Sequence, residues 1–173
     1  MTLYKRPVSV LVVIHTAPSS FDASGGSGQA ASTGSGQARD IKVLLLERAD
    51  HPGYWQSVTG SCEADETLIE TAIREVREET GLNARQHVLT DWQLQNVYEI
   101  YPQWRYRYSP DITRNTEHVF GLQLPHTVDV QLEPLEHLNY QWLAWQDAAE
   151  KVFSPSNRAA ILELPGRAIR KMP

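Results

Sequence analysis

The stretch "GSCEADETLIETAIREVREETGL", Gly60 to Leu82, decides how this sequence is read. From about Thr67 its period is helical, because Ile69, Ala72, Ile73 and Val76 recur at i, i+3, i+4 and i+7 and form one apolar stripe. Thr67 with Glu70 fits a capping box, and Gly81 can supply the left-handed residue that closes the helix. The same helix carries Glu75, Glu78 and Glu79 within barely more than one turn. Carboxylates three and four residues apart repel by a few tenths of a kcal/mol per pair. On a wheel of about 100 degrees per residue, Glu75 and Glu79 fall about 40 degrees apart, on the border of the stripe. Glu78 lies about 60 degrees from Glu75, while Arg74 and Arg77 turn to the other side, so the helix's own arginines cannot cancel all three charges.

Crowded carboxylates are stabilised either by a proton held at raised pKa or by a cation among them. A hard divalent cation, magnesium or else manganese, suits oxygen donors and a substrate's phosphates. The competing account is a solvated acidic face with pairs such as Glu70 with Arg74 and Arg74 with Glu78.

The wider spacing favours the cation. Gly60 is followed by Glu66, then Arg74-Glu75-Val76, Glu78-Glu79 and Gly81-Leu82. This pattern resembles the Nudix box at every fixed position and covers 23 of 173 residues. The resemblance implies an α/β fold, specifically an α/β/α sandwich with a mixed β-sheet in which the box forms a loop, a helix and a loop. It also implies a hydrolase of nucleoside-diphosphate-like substrates. By the same resemblance, Glu75, Glu78 and Glu79 bind the metal, with Glu75 and Glu79 as the central pair. Gly60 lends its carbonyl or permits close approach, Arg74 orients the carboxylates through a salt bridge, and Glu66 supports the loop.

Outward from the box, "VSVLVVI", Val8 to Ile14, reads as a buried strand. It is too short to span a membrane and sits at the low end for a signal peptide, despite the preceding Lys5 and Arg6. The Gly/Ser-rich tract from about 17 to 40 reads as a flexible connection inside one domain spanning residues 1–173, because strong apolar signal resumes at "KVLLLER". "YWQSVTG" reads as a short strand, "WQLQNVYEIY", "WRYRY" and "TEHVFGLQL" as further strands, and "YQWLAW" as one more. "QDAAEKVF" and "SNRAAILEL" read as helices.

A hydrophobic content of 41% supports a sizeable core, and a net charge of -5 without basic runs disfavours nucleic acid. Cys62 is the only cysteine, which excludes an intramolecular disulfide and a cysteine metal cluster and fits a reducing cytoplasm. His15, His51, His87, His118, His126 and His137 show no ligand spacing and read as structural, and Trp55 as core.

The resemblance extends beyond the box. "YKRPVSVLVVI", "YWQSVTGS", "RYRYSPDITRNTEH", "EHLNYQWL" and "SPSNRAAI" are similar to a branch of the family that hydrolyses dihydroneopterin triphosphate in folate synthesis. That implies substrate contacts at Lys5, Arg48, Thr59 and Ser154, a pterin-pocket wall at Tyr98, Glu99, Ile100 and Tyr101, and an additional metal carboxylate at Glu136, with Glu117 as its rival. The partner is then a small-molecule triphosphate, with no nucleic acid and no membrane, and the chain a monomer or homodimer. Lys5, Arg6, Arg48, Arg105, Arg107 and Arg114 are available as counter-charges to the phosphates. In "WRYRY" a strand period puts Trp104, Tyr106 and Tyr108 on one face and Arg105 and Arg107 on the other. The general base stays open among Glu75, Glu79 and Glu136. Two rivals follow from the same box: hydrolysis of nucleoside triphosphates such as dATP or oxidised dGTP, and a non-catalytic sensing module.

Overall fold

Strand β1, Val8–Thr16, is aliphatic on both faces and forms the centre of the sheet. It runs two residues beyond the expected Ile14. A strand covered on both sides needs this near-continuous apolar run. Along one edge β1 pairs in parallel with β6, Arg114–Leu124, which in turn pairs antiparallel with β5, Val88–Glu99. Along the other edge β1 meets two antiparallel strands, β4, Val58–Ser61, at its start and β2, Lys42–Arg48, at its end. Strand β2 also pairs with β3, Trp55–Gln56, and β7, His137–Ala144. The computed structural model describes residues 4–18, 40–63 and 65–169. The expected flexible tract at 17–40 therefore lies outside the described residues except for its ends.

Alternation along β1 builds a core on each face. Val10, Val12 and Ile14 pack with Ala72 and Val76 of helix α1, Leu68–Thr80. Leu11 and Val13 pack with Ala148 and Ala149 of α2, Trp145–Lys151, and with Ile161 and Leu164 of α3, Pro155–Ile169. Each of the buried Val, Leu and Ile side chains contributes about 1.5–3 kcal/mol, the alanines less. The result is an α/β/α sandwich around a mixed sheet, as the sequence predicts. Among the described residues no helix is long and apolar enough to cross a membrane.

Four local readings change. "YWQSVTG" is two strands, because the chain leaves β2 at Gln56 and joins β1 at Val58. Ser57 is the pivot between them, and the side chain of Asn157 in α3 satisfies it, accepting from its backbone N–H at 2.8 Å and donating to its hydroxyl at 2.9 Å. "WRYRY" is not a strand: Pro102–Arg107 is a 3-10 helix, so the two-faced alternation does not apply. Pro102 opens that turn with its fixed φ and cannot donate to a ladder. Ile69, expected in the buried stripe, is 48% exposed, because the buried face of α1 is centred further round, on Thr71, Ala72, Glu75, Val76, Glu79 and Thr80. The last helix also continues through Pro165 to Ile169, past the expected stop at Leu164.

Candidate active site

Helix α1 starts and stops where its sequence dictates. Thr67 and Glu70 form the reciprocal capping box, and Gly81 closes the helix at φ 72°. This fixed register carries two carboxylates, Glu75 and Glu79, into the buried face, with exposures of 8% and 2%. Glu75 lies against β4 over Gly60, so closely that a Cβ on residue 60 would overlap its carboxyl group. Gly60 is therefore required for space, not for a left-handed backbone.

Arg74 is turned away by the wheel, but its long side chain reaches back and becomes the hub of the box. Its guanidinium donates to both oxygens of Glu66 at 2.6 and 2.9 Å and to the Ser61 carbonyl at 3.1 Å. It also donates to Glu75 at 2.8 Å and Glu78 at 3.0 Å. The pairing with Arg74 holds the Glu66 carboxyl down at about 2. Glu78 remains on the outer side, its side chain 56% exposed. Arg74→Ala removes the orientation of Glu75 and of the loop together. The expected result is a loss of divalent-cation affinity on the order of 10- to 100-fold, read by calorimetric titration with manganese.

Burial pushes the Glu75 carboxyl up to about 8, with repulsion from Glu79 adding to it and Arg74 opposing. Burial likewise raises Glu79, against the hydrogen bonds from His137 and the Thr59 backbone. A carboxyl whose pKa is higher in the folded than in the unfolded chain keeps a proton the unfolded chain has lost. Between about pH 4.5 and pH 8 the folded state then binds more protons, so on Glu75's account stability falls as pH rises. Metal-free protein is expected to lose melting temperature across that window, and Glu75→Gln is expected to flatten the decline in a pH series of thermal melts.

The third component comes from β7. His137, expected to be structural, sits with Nε2 at hydrogen-bond distance, 2.9 Å, from Glu79 Oε2. Its Nδ1 is buried with no hydrogen-bond partner among the described residues. Ligand atoms of Glu79, Glu136 and His137 all lie within 4.8 Å of one another. Buried carboxylates that repel, a glycine that makes room for one of them, and an adjacent exposed Glu136 form an oxygen-rich donor set suited to a hard divalent cation.

These groups border a cavity of about 480 Å3, within the range of small-molecule sites. Thr59, Gly60, Glu79, Glu136 and His137 line it at the carboxylate end. Lys5, Arg48, Tyr98, Glu99, Ile100, Tyr101 and Ser154, the residues the sequence points to, line the same cavity. Of the six basic residues offered as counter-charges, Lys5, Arg48 and Arg107 border it. Arg48 is already engaged, donating to both oxygens of Asp50 at 2.8 and 2.7 Å and to Gln56 at 2.9 Å. Arg105 lies 3.6 Å from Glu99.

Sequence reasoning missed the aromatic cluster at this cavity. Tyr54 stacks on Phe153 at 4.7 Å, and Tyr101 meets Trp104 edge-on at 5.3 Å. His51 touches both Tyr54 and Trp104, and the Arg48 guanidinium lies 4.8 Å from the Trp104 ring centre. The 3-10 turn brings Trp104 here, so only the turn propensity of Pro102 could have signalled it. Glu117, the rival to Glu136 as a metal carboxylate, also lines the cavity but lies outside the group of Glu79, Glu136 and His137, and burial pushes its carboxyl up.

The fold and the site have relatives. The dihydroneopterin triphosphate diphosphatase of Escherichia coli K12 is 44% identical over 162 residues, covering 92% of each chain. That of Haemophilus influenzae is 36% identical over 165 residues, covering 93% of this chain and 89% of its own. The solved structure of the E. coli dihydroneopterin triphosphate pyrophosphohydrolase is similar at a TM-score of 0.74 and 41% identity, over 95% of this chain and 99% of that one. A Caenorhabditis elegans Ap4A hydrolase shares the fold at a TM-score of 0.64 and 20% identity, over 94% and 98% of the two chains. With residues 33–164 matching the NUDIX domain as well, the chain belongs to the Nudix family.

Proposed function

We propose that this enzyme hydrolyses dihydroneopterin triphosphate to dihydroneopterin monophosphate and pyrophosphate with a divalent cation, magnesium or else manganese. The observation that carries the reading is that the acidic face of α1 and the aromatic cluster open into one cavity. The carboxylates suit a cation with charged phosphates, and the rings suit a flat heterocycle.

Glu75 and Glu79 would hold the cation from α1, with Glu136 joining from the residue before β7. When bound, the cation neutralises charge on the phosphates and increases the acidity of an attacking water. The protein's own groups do the rest. Arg74 and His137 fix the carboxylates against rotation, from opposite sides. Lys5 and Arg107 add positive charge along the cavity wall, where it meets the leaving pyrophosphate. Glu75, Glu79 and Glu136 are the candidates to accept the proton of water, and the base stays open among the three. Tyr101, Trp104 and Phe153 provide stacking surface for the ring, with Tyr54 stacked on Phe153.

Purified protein incubated with dihydroneopterin triphosphate and magnesium should release pyrophosphate. Release no faster than that of the Glu79→Gln variant refutes the reading. A parallel panel of dATP and 8-oxo-dGTP distinguishes the pterin enzyme from one for ordinary or damaged nucleotides, by which substrate has the highest kcat/KM.

A further inference from the structure

Asp50 lines the cavity, yet neither the metal site nor the ring surface gives it a part. It stands just past the end of β2, and that end is placed by β7. A bulge in β7 passes over Leu138, so Arg48 stands opposite His137. The next residue, Ala49, donates its backbone N–H to the Glu136 carbonyl at 2.8 Å. Arg48 therefore sits beside the group formed by Glu79, Glu136 and His137, where a cation would bring the phosphates. Its guanidinium also lies over the Trp104 ring, 4.8 Å from the centre.

Asp50 sets how that guanidinium is oriented. Arg48 Nε donates to Asp50 Oδ1 at 2.8 Å and Nη2 donates to Oδ2 at 2.7 Å, a two-pronged pairing that fixes the plane of the fork. Nη1 donates to Gln56 Oε1 at 2.9 Å, and the Gln56 amide in turn donates to Thr59 Oγ1 at 3.2 Å. A guanidinium carries more N–H donors than these three bonds use, so donors remain for a ligand in a direction already set. Asp50 also draws in a second cation. Arg107 Nη2 lies 4.0 Å from the same Oδ2, and the Arg107 carbonyl accepts from the Lys5 backbone N–H at 2.9 Å. One carboxylate thus offsets the repulsion of two guanidiniums and gathers charge from β2 and from the 3-10 turn on one wall. Burial pushes the Asp50 carboxyl up, but the bonds and charge of Arg48, with His51 and Arg107 adding, hold it below the usual carboxylate range.

We propose that Asp50 is the positioning residue of the phosphate wall, holding the Arg48 fork and keeping Arg107 beside it so that both meet one polyphosphate in a preset arrangement. This deepens, and rests on, the proposed triphosphate activity. The opposing account makes Asp50 a stand-in anion that a phosphate must displace. Against it, Arg48 keeps donors free while bound to Asp50, and the Asp50 side chain is 38% exposed, so water and salt screen its repulsion of a phosphate.

The test measures inorganic tripolyphosphate binding by calorimetry, and kcat and KM for dihydroneopterin triphosphate, with magnesium throughout. The proteins are wild type, Asp50→Asn, Arg48→Lys and the double variant. Asparagine keeps the shape but turns an N–H group towards the fork, so the paired bonds break. Asp50→Asn should weaken tripolyphosphate binding by on the order of 10-fold, because Arg48 and Arg107 must then be ordered on binding. The loss in turnover should come through KM rather than kcat. Lysine keeps the charge of Arg48 but cannot make the two-pronged bond, so in its background Asp50→Asn should add little. Equal or tighter tripolyphosphate binding by folded Asp50→Asn overturns the inference. So does the same loss in both backgrounds, which a merely structural Asp50 would give. If Asp50→Asn does not fold, Arg48→Lys decides, and an affinity equal to wild type overturns the inference. A wild type that leaves the pterin substrate intact, while Asp50→Asn weakens tripolyphosphate binding, refutes the proposed function and leaves the role of Asp50 standing.

Discussion

Glu79→Gln is expected to lower kcat for pyrophosphate release by on the order of 10²- to 10³-fold while the protein stays folded. The size follows from the several kcal/mol that a bound divalent ion contributes to charge stabilisation in the transition state, at 1.36 kcal/mol per tenfold. Glu79 is 2% exposed and its carboxyl is raised by burial, so in metal-free protein the charge is a cost, not a support. Glutamine fills the same volume and can still bond to His137, which stands 2.9 Å from the carboxylate. The melting temperature without metal should therefore hold or rise, whereas the stabilisation gained on adding magnesium should be lost. Thermal melts with and without magnesium, run beside steady-state kinetics, check both halves. Unchanged kcat would remove Glu79 from the site, and a collapse of the metal-free melt would make its role structural.

Gly60→Ala should be damaging by a different route. The added methyl would occupy the position of the Glu75 carboxyl, which is held from the other side by Arg74 at 2.8 Å. Overpacking of this kind costs about 1–3 kcal/mol when the neighbour cannot give way. If Glu75 does give way, it leaves the carboxylate pair and takes activity with it. Urea unfolding should show a lower midpoint at unchanged slope, and activity should fall even where the variant is fully folded. Gly53 is the contrast: it has open space around its Cβ position but φ +90°, so alanine there tests backbone strain alone.

What could be read from the sequence was local. The cap at Thr67, the stop at Gly81 and the inward turn of Glu75 and Glu79 depend on residues within one helix, and the periodicity reports them. Ile69 misled because its neighbours on the wheel are buried by β4 and β1, whereas among the described residues no element covers the side from which Ile69 projects. "WRYRY" misled because an alternating pattern is not a strand when a proline opens it. His137 escaped, and Glu117 was read only as a rival metal carboxylate, because their surroundings are set by partners far away in the chain: Glu79, 58 positions before His137, and Asn96, 21 before Glu117. Residue type and spacing carry no trace of such meetings. The family resemblance drew in Lys5, Arg48, Thr59 and Ser154 from separate segments, and physical spacing alone would not have united them.

The bond between Ser57 and Asn157 has a consequence in time. The two residues are 100 positions apart, and between them run β4, β5, β6 and β7, four of the seven strands. During synthesis the switch from β3 to β4, which carries Gly60, emerges early and then waits for α3 to supply the partner of its buried amide. Contacts of such long range form late, because the intervening chain must be closed first. The strand that carries Gly60 is thus completed by an element made 100 positions later, and a chain not yet extended to α3 carries the whole Nudix box without a finished site.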